Sequence, residues 1–159
     1  MTPWPGDARR ERTTFGGLRR AALMASVPSF GNATTERRLE SLLRAARLTG
    51  WRKHEDLPGR PDFTWRKGRV VAFVDGCFWH GHDCNRNLKP KANALAWRVK
   101  VCRNRVRDRR VARRLRREGW SVLRIWECAL ARSPQRCVDR IRQRLHRQES
   151  LGGMGAVVA

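Results

Sequence analysis

The sequence lacks any run approaching the roughly 20 consecutive apolar residues of a membrane-spanning helix. Its basic segments carry too narrow an apolar face to lie flat on a bilayer, so no membrane partner is expected. A secretory signal is lacking too. The stretch from Met1 to Arg12 is broken by Pro3, Pro5 and Gly6 and has no apolar centre, which leaves the expectation of a cytoplasmic protein with reduced thiols. The five cysteines are therefore read as metal ligands or core residues before disulfides. No internal repeat is present. The shortage that matters most is of acid: 14 Asp and Glu stand against 36 Lys and Arg, a formal charge of +22. Balanced charge would serve solubility as well. An imbalance of this size points to a polyanionic partner, and such a field draws nucleic acid from a distance and holds it by counterion release.

What is there suffices for one packed domain. The chain has 159 residues, 40% apolar, with seven tryptophans, enough for one core and too short for two ordinary ones. Residues 1–31 are rich in Arg, Gly and Pro without a sustained period and read as a flexible basic arm. The domain is expected over 32–148. It opens with a helix on which Leu39, Leu42, Leu43 and Ala46 recur, Thr34 or Thr35 caps, and Glu36 sits in the first turn. Strands are expected over 62–65 and 70–74, joined at Lys67-Gly68, the second apolar on both faces and hence central. Residues 76–92 form a long loop dense in Cys, His, Asp and aromatics. A helix over 93–118 follows, with Trp97, Val101, Val111 and Leu115 as its buried stripe and Gly119 as its stop. A strand over 120–126 and a closing helix over 134–147 complete the domain, and 149–159 are expected to be a disordered tail. The order predicts an α/β fold, a central mixed sheet flanked by helices.

Two constellations carry chemistry. In Gly59-Arg60-Pro61-Asp62-Phe63, Asp62 stands at the start of a strand, where a phosphodiester-cleaving site needs a hard oxygen ligand for Mg²⁺. A Pro-Asp pair is also common in turns. The companion acid and lysine such sites carry on the next strand are missing, since 71–74 read Val-Ala-Phe-Val. The second constellation is Asp75-Gly76-Cys77-Phe78-Trp79-His80-Gly81-His82-Asp83-Cys84. Cys77, His82 and Cys84 are zinc ligands within eight residues, and Cys128 beyond the last strand is positioned to be the fourth, giving a closed structural Zn²⁺ site. Asp83 and His80 are competing ligands, and reduced core cysteines are the bland alternative. His80, if not spent on zinc, is a natural general base. Phe78 and Trp79 are either the floor of a zinc lobe or wedges that part a base stack.

The stretch Leu57 to Phe63, the stretch Gly76 to His80 with His82 and Cys84, the segment Asn104 to Asp108, and Gly119-Trp120 through Trp126-Glu127-Cys128 together resemble the very short patch repair (Vsr) mismatch endonucleases of bacteria over roughly 34–130. The resemblance implies a restriction-endonuclease-like core with a structural zinc. It also implies a Mg²⁺-dependent nick 5′ of the thymine in a T:G mismatch, the lesion left when 5-methylcytosine deaminates. By that resemblance Asp62 binds Mg²⁺ together with the backbone carbonyl of Val74, which replaces the missing acid. His80 is the base, and Glu36 supports the site. Cys77, His82, Cys84 and Cys128 bind zinc, and Phe78, Trp79 and Trp97 form the wedge. Asn104 and Asp108 are recognition or support residues. The expected partners are double-stranded DNA bearing the mismatch and other mismatch-repair proteins, for a monomer in the bacterial cytoplasm at the nucleoid.

There are departures from the family pattern. Val74 and Asp75 stand where the best-known members have a threonine and a histidine, which leaves Asp75 as a possible support residue, and Gly81 and Asp83 replace further histidines. The alternatives are a restriction-type or less selective nuclease on the same scaffold and a non-catalytic zinc-stabilised DNA-binding module.

Overall fold

A computed structural model of the chain describes residues 35–84 and 94–153. The arm expected over 1–31, the capping candidate Thr34, the distal part of the loop and residues 154–159 of the expected tail lie outside the described residues. Helix α1 (Glu36–Ala45) buries Leu39 and Leu43 completely, four residues apart on one face. Thr35 stands at its N-cap, but its side chain makes no capping hydrogen bond. Its carbonyl accepts the first helical bond, from Leu39 N at 3.0 Å.

Strands β1 (Phe63–Trp65) and β2 (Val70–Asp75) pair antiparallel, Phe63 opposite Ala72, through the turn at 66–69. Strand β3 (Ser121–Trp126) pairs with β2 in parallel, Val70 opposite Ser121 through Asp75 opposite Trp126. The order β1-β2-β3 makes β2 central, as its two-sided apolar pattern requires. A parallel neighbour needs a crossover. Helix α3 (Ala94–Arg117) provides it and ends at Gly119, whose φ of +80° lets Trp120 N bond back to Leu115 O at 2.9 Å.

Alternation along the strands divides the core in two. Val70, Ala72, Leu123 and Ile125 pack with Leu39, Leu43, Cys137 and Ile141, whereas Val71, Phe73 and Val122 pack with Ala112 and Leu115. Helices α1 and α5 (Pro134–Gly153) thus cover one face and α3 the other. The stripe expected on α3 is corrected: Leu115 and Ala112 are buried, but Trp97, Val101 and Val111 are only half-buried. Only the C-terminal part of α3 rests on the sheet. Its N-terminal part reaches beyond the sheet and leaves Leu95, Val99 and Val106 exposed.

Two short helices were not expected. Helix α2 (Cys77–His80) is a single turn inside the predicted loop, stopped by Gly81 in the left-handed region at φ +64°. Helix α4 (Glu127–Arg132) follows β3 directly. Neither is long enough to display a helical period. Helix α5 also runs to Gly153, past the end expected at 147 and into residues assigned to the tail. Gln, Glu and Leu are good helix formers, and Ser150 Oγ bonds His146 O at 3.1 Å.

Candidate active site and metal centre

The turn before β1 aims Asp62. Gly59 has φ +77° and lies against Val111, Arg60 N bonds Leu57 O at 2.8 Å, and His54 N bonds Pro61 O at 3.1 Å. Asp62 Oδ2 then accepts from Val74 N at 2.7 Å. Burial pushes the Asp62 carboxyl up to about 7; the Val74 hydrogen bond opposes this, and the charges of Glu36 and Asp75 reinforce it. Glu36 is 4% exposed. Its Oε2 lies 3.2 Å from His54 Nε2 and 3.7 Å from Lys53 Nζ but accepts no hydrogen bond. Ligand atoms of Glu36, His54 and Asp62 all lie within 4.8 Å of one another. A buried and a half-buried carboxylate, one with an unsatisfied oxygen, form with the imidazole a donor set that suits a hard divalent cation.

The carboxylate end of β2 carries the second half of the site. Asp75, on the α3 face with Arg124 of β3, accepts a hydrogen bond from that guanidinium. The same Arg124 Nη1 lies 3.2 Å from Asp108 Oδ2. Asp108 Oδ2 is in turn 2.6 Å from His80 Nδ1, while His80 Nε2 stands 3.6 Å from Asp75 Oδ1. Burial raises the Asp75 carboxyl above its usual range, in spite of His80 and Arg124. Burial would raise Asp108 too, but the His80 hydrogen bond and the Arg124 charge outweigh it and hold Asp108 low. Arg105, Arg109, Arg113 and Arg116 of α3 and Arg124 line a cleft of about 760 Å³ that opens onto His80 and Asp108.

Beside it, ligand atoms of Cys77, His82, Cys84 and Cys128 lie within 4.8 Å of one another. Cys128 Sγ is 3.4 Å from His82 Nδ1, and the His82 ring stacks on Trp126 with centroids 4.2 Å apart. Burial, reinforced by the neighbouring Cys84 and Cys128, pushes the Cys77 thiol up to about 12. Three sulfurs and one imidazole gathered so closely match a closed tetrahedral metal site. Glu127 Oε2 accepts from Cys77 N at 3.4 Å and ties α2 to α4.

On the other side of α2, Phe78, Trp79 and Trp97 form one aromatic cluster. Its ring centroids are 4.8 to 5.5 Å apart, and Lys100 Nζ lies 5.0 Å from the Trp79 ring. Asn104 Nδ2 donates to Trp79 O at 2.9 Å.

The profile of the family described as DNA mismatch endonuclease Vsr matches residues 14–86. The chain is 40% identical over 121 residues to the DNA mismatch endonuclease Vsr of Escherichia coli (strain K12), covering 76% of each protein. It is 41% identical over 113 residues to the type II nicking enzyme V.XorIIP of Xanthomonas oryzae pv. oryzae, covering 71% of this chain and 82% of that one. It is also 40% identical over 94 residues to the type II nicking enzyme V.NmeDIP of Neisseria meningitidis serogroup C, covering 58% of this chain and 64% of that one. The chain belongs to the Vsr family.

Its fold is accordingly the restriction-endonuclease-like α/β core of that endonuclease family, with a Cys/His cluster able to hold a metal. The Vsr-family chain brings Glu36, Asp62 and the Val74 backbone together, sets His80 on Asp108 and Asp75, and gathers Cys77, His82, Cys84 and Cys128. Asn104 reaches the backbone of α2 at Trp79. His80 and Asp83 are not in the Cys/His cluster. Two residues of the site escaped sequence reasoning. His54 joins Glu36 and Asp62 from a segment without periodicity, and only its place shortly before the Gly-Arg-Pro-Asp turn could have marked it. Arg124 is the single charge in the strand Ser-Val-Leu-Arg-Ile-Trp, and a charge inside a strand is the signal that marks it. Among the described residues no helix is long and apolar enough to cross a membrane.

Proposed function

We propose that this Vsr-family endonuclease nicks one strand of double-stranded DNA 5′ of the thymine in a T:G mismatch, in a Mg²⁺-dependent reaction. The observation that carries the reading is the meeting of Glu36, His54 and Asp62 at the Val74 backbone, one residue from the Asp75 that faces His80. Asp62 and the Val74 carbonyl would hold Mg²⁺, with Glu36 and His54 beside them. The ion, when bound, polarises the phosphodiester and stabilises the leaving oxygen. Asp62 is held in place by the Val74 amide and enters this role as the carboxylate.

His80 takes the proton of the attacking water. Asp108 at 2.6 Å fixes the Nδ1 side of the imidazole, so that Nε2 is the nitrogen left to accept. Arg124 neutralises Asp75 and Asp108 and keeps the network from accumulating negative charge next to an incoming phosphate. The arginines of α3 receive the DNA backbone. Phe78, Trp79 and Trp97 enter the stack beside the mismatch, a step that costs less where pairing is already weak. Cys77, His82, Cys84 and Cys128 would hold Zn²⁺, which would tie α2, and with it His80, to the end of β3.

The names of the relatives support this reading: one is a mismatch endonuclease and others are nicking enzymes. The deciding experiment uses three labelled duplexes with Mg²⁺: T:G in a CC(A/T)GG-like context, T:G elsewhere, and fully paired. A single nick 5′ of the mismatched thymine, absent in Asp62→Ala, is the expected result. Equal cutting of the paired duplex would assign a less selective nuclease, and binding without cleavage would leave a zinc-stabilised DNA-binding module.

A further inference from the structure

The α5 side of the sheet carries a second basic stripe. Arg136, Arg140, Arg144 and Arg147 of α5 recur at three- and four-residue spacing and so follow one side of the helix. Arg132 at the end of α4 borders, with Arg136 and Arg140, a groove of about 430 Å³. Arg140, Arg144 and Arg147 border another of about 160 Å³, so Arg140 stands between the two. From Arg136 to Arg147 the stripe runs about 16 Å at the helical rise, long enough to face several phosphates of one strand.

None of these five arginines is paired with a carboxylate among the described residues. The ion pair on α5 among the described residues is Arg142 with Asp139 at 2.8 Å, and Arg144 donates to Ser121 Oγ at 3.0 Å. Arg132, Arg136, Arg140 and Arg147 are exposed, with no carboxylate at ion-pair distance among the described residues. The partner must therefore be an anion. The large exposed apolar side chains among the described residues, Leu95, Val99 and Val106, all stand on α3, so the α5 stripe has no apolar rim to enter a lipid interface.

The stripe also lies away from the cleft. Cys137 and Ile141 of α5 pack on Val70, Ala72, Leu123 and Ile125, and α3 packs on Val71, Phe73 and Val122, so the two arginine rows face opposite sides of one sheet. Duplex DNA is stiff over about 150 bp, and a segment lying along α3 cannot curve round a three-stranded sheet to reach α5.

We infer that the arginine row Arg132, Arg136, Arg140, Arg144 and Arg147 is a second DNA-backbone site, which holds a duplex segment separate from the one at His80. The inference rests on the reading that the protein acts on duplex DNA. One protein molecule then bridges two segments, and the second contact keeps it on DNA while the cleft releases and re-engages.

The test mixes two short paired duplexes, one with a donor and one with an acceptor dye, with the full-length protein. Energy transfer between the duplexes is expected. The triple variant Arg136→Gln/Arg140→Gln/Arg147→Gln should lose it, and the corresponding triple Arg→Lys variant should keep it. Nicking of a short mismatched duplex should stay within about twofold in the Gln variant, and the salt dependence of its binding to long DNA should be shallower by about 2 to 3 in log-log slope. Absence of transfer with the unmodified protein overturns the inference. So does transfer that persists in the Gln variant, the result expected if two copies each held one duplex through α3, and so does preference of the stripe for poly-glutamate over duplex. If transfer follows the stripe but no duplex is ever nicked, the endonuclease reading fails and the second DNA site stands.

Discussion

His80 Nδ1 and Asp108 Oδ2 lie 2.6 Å apart, joining the turn after β2 to the middle of α3 across 28 residues of chain. A carboxylate in that position selects the tautomer that leaves Nε2 free to accept a proton. Asp108→Asn keeps the shape but can offer its NH₂ to the ring and select the wrong tautomer. Nicking by this variant is expected to fall by about 10²- to 10⁴-fold, with duplex affinity and metal content unchanged. An equal loss of binding would show that Asp108 serves the DNA contact instead.

Asp62 gives the pH dependence a definite sign. Its folded-state carboxyl is raised to about 7 from an ordinary carboxylate value, so the neutral acid is the form that folding favours. That contribution is complete below about pH 4 and is lost as pH rises through 7, on the order of a few kcal/mol. In Mg²⁺-free buffer the melting temperature should therefore show a decrement between about pH 4 and 7 that Asp62→Asn removes. Added Mg²⁺ should recover more stability at the upper end of that range than at the lower, because the ligand must be ionised. A melting profile identical in the two proteins would refute the assignment of the raised acid to Asp62.

The Cys/His cluster predicts one tightly held Zn²⁺ per chain, measurable by elemental analysis of protein purified without added metal. Cys128→Ser should lower both the zinc content and the melting temperature, because it releases the tie between α2 and the end of β3. A variant that keeps full stability after losing the metal would exclude a structural role.

The Asp75–Arg124 pair predicts a specific non-additivity. Arg124→Leu leaves the Asp75 carboxyl, 5% exposed, without its cation and should destabilise by about 3 kcal/mol. Asp75→Val in the same chain should recover most of that loss. Urea melts of the two single variants and the double variant measure the coupling, and strictly additive losses would mean that the pair does not act as one.

The fold was legible where periodicity is long: α1, the two-sided β2, α3 with its glycine stop, and β3 all lie close to where pattern and capping residues put them. The single-turn α2 was not, because four residues cannot show a helical period and Gly81 does not by itself distinguish a helix stop from a loop glycine. The burial of α3 was misjudged because its pattern of Trp97, Val101, Val111 and Leu115 does not reveal that only its C-terminal part meets the sheet. In the site, ligand chemistry was readable in the dense run Cys77 to Cys84. His54 was not, since its role comes from a tertiary approach to Glu36 and Asp62 rather than from spacing. Arg124 was visible as a charge inside a strand, but its partners Asp75 and Asp108 come from two other elements.

The last two residues of β2 have a further consequence. Val74 fixes Asp62 through its amide, and the adjacent Asp75 engages Arg124 and faces His80, so the two halves of the site are separated by a single residue step of about 3.3 Å along a strand. Paired with β3 along one edge and held by the Asp62 carboxylate on the other, this end of the pleated strand behaves as a rigid ruler at that scale. The spacing between the acid cluster and the imidazole is thereby set by backbone geometry that side-chain replacement does not touch. An aspartate with an arginine across the ladder can occupy this end of the sheet while the distance over which the two halves cooperate stays the same.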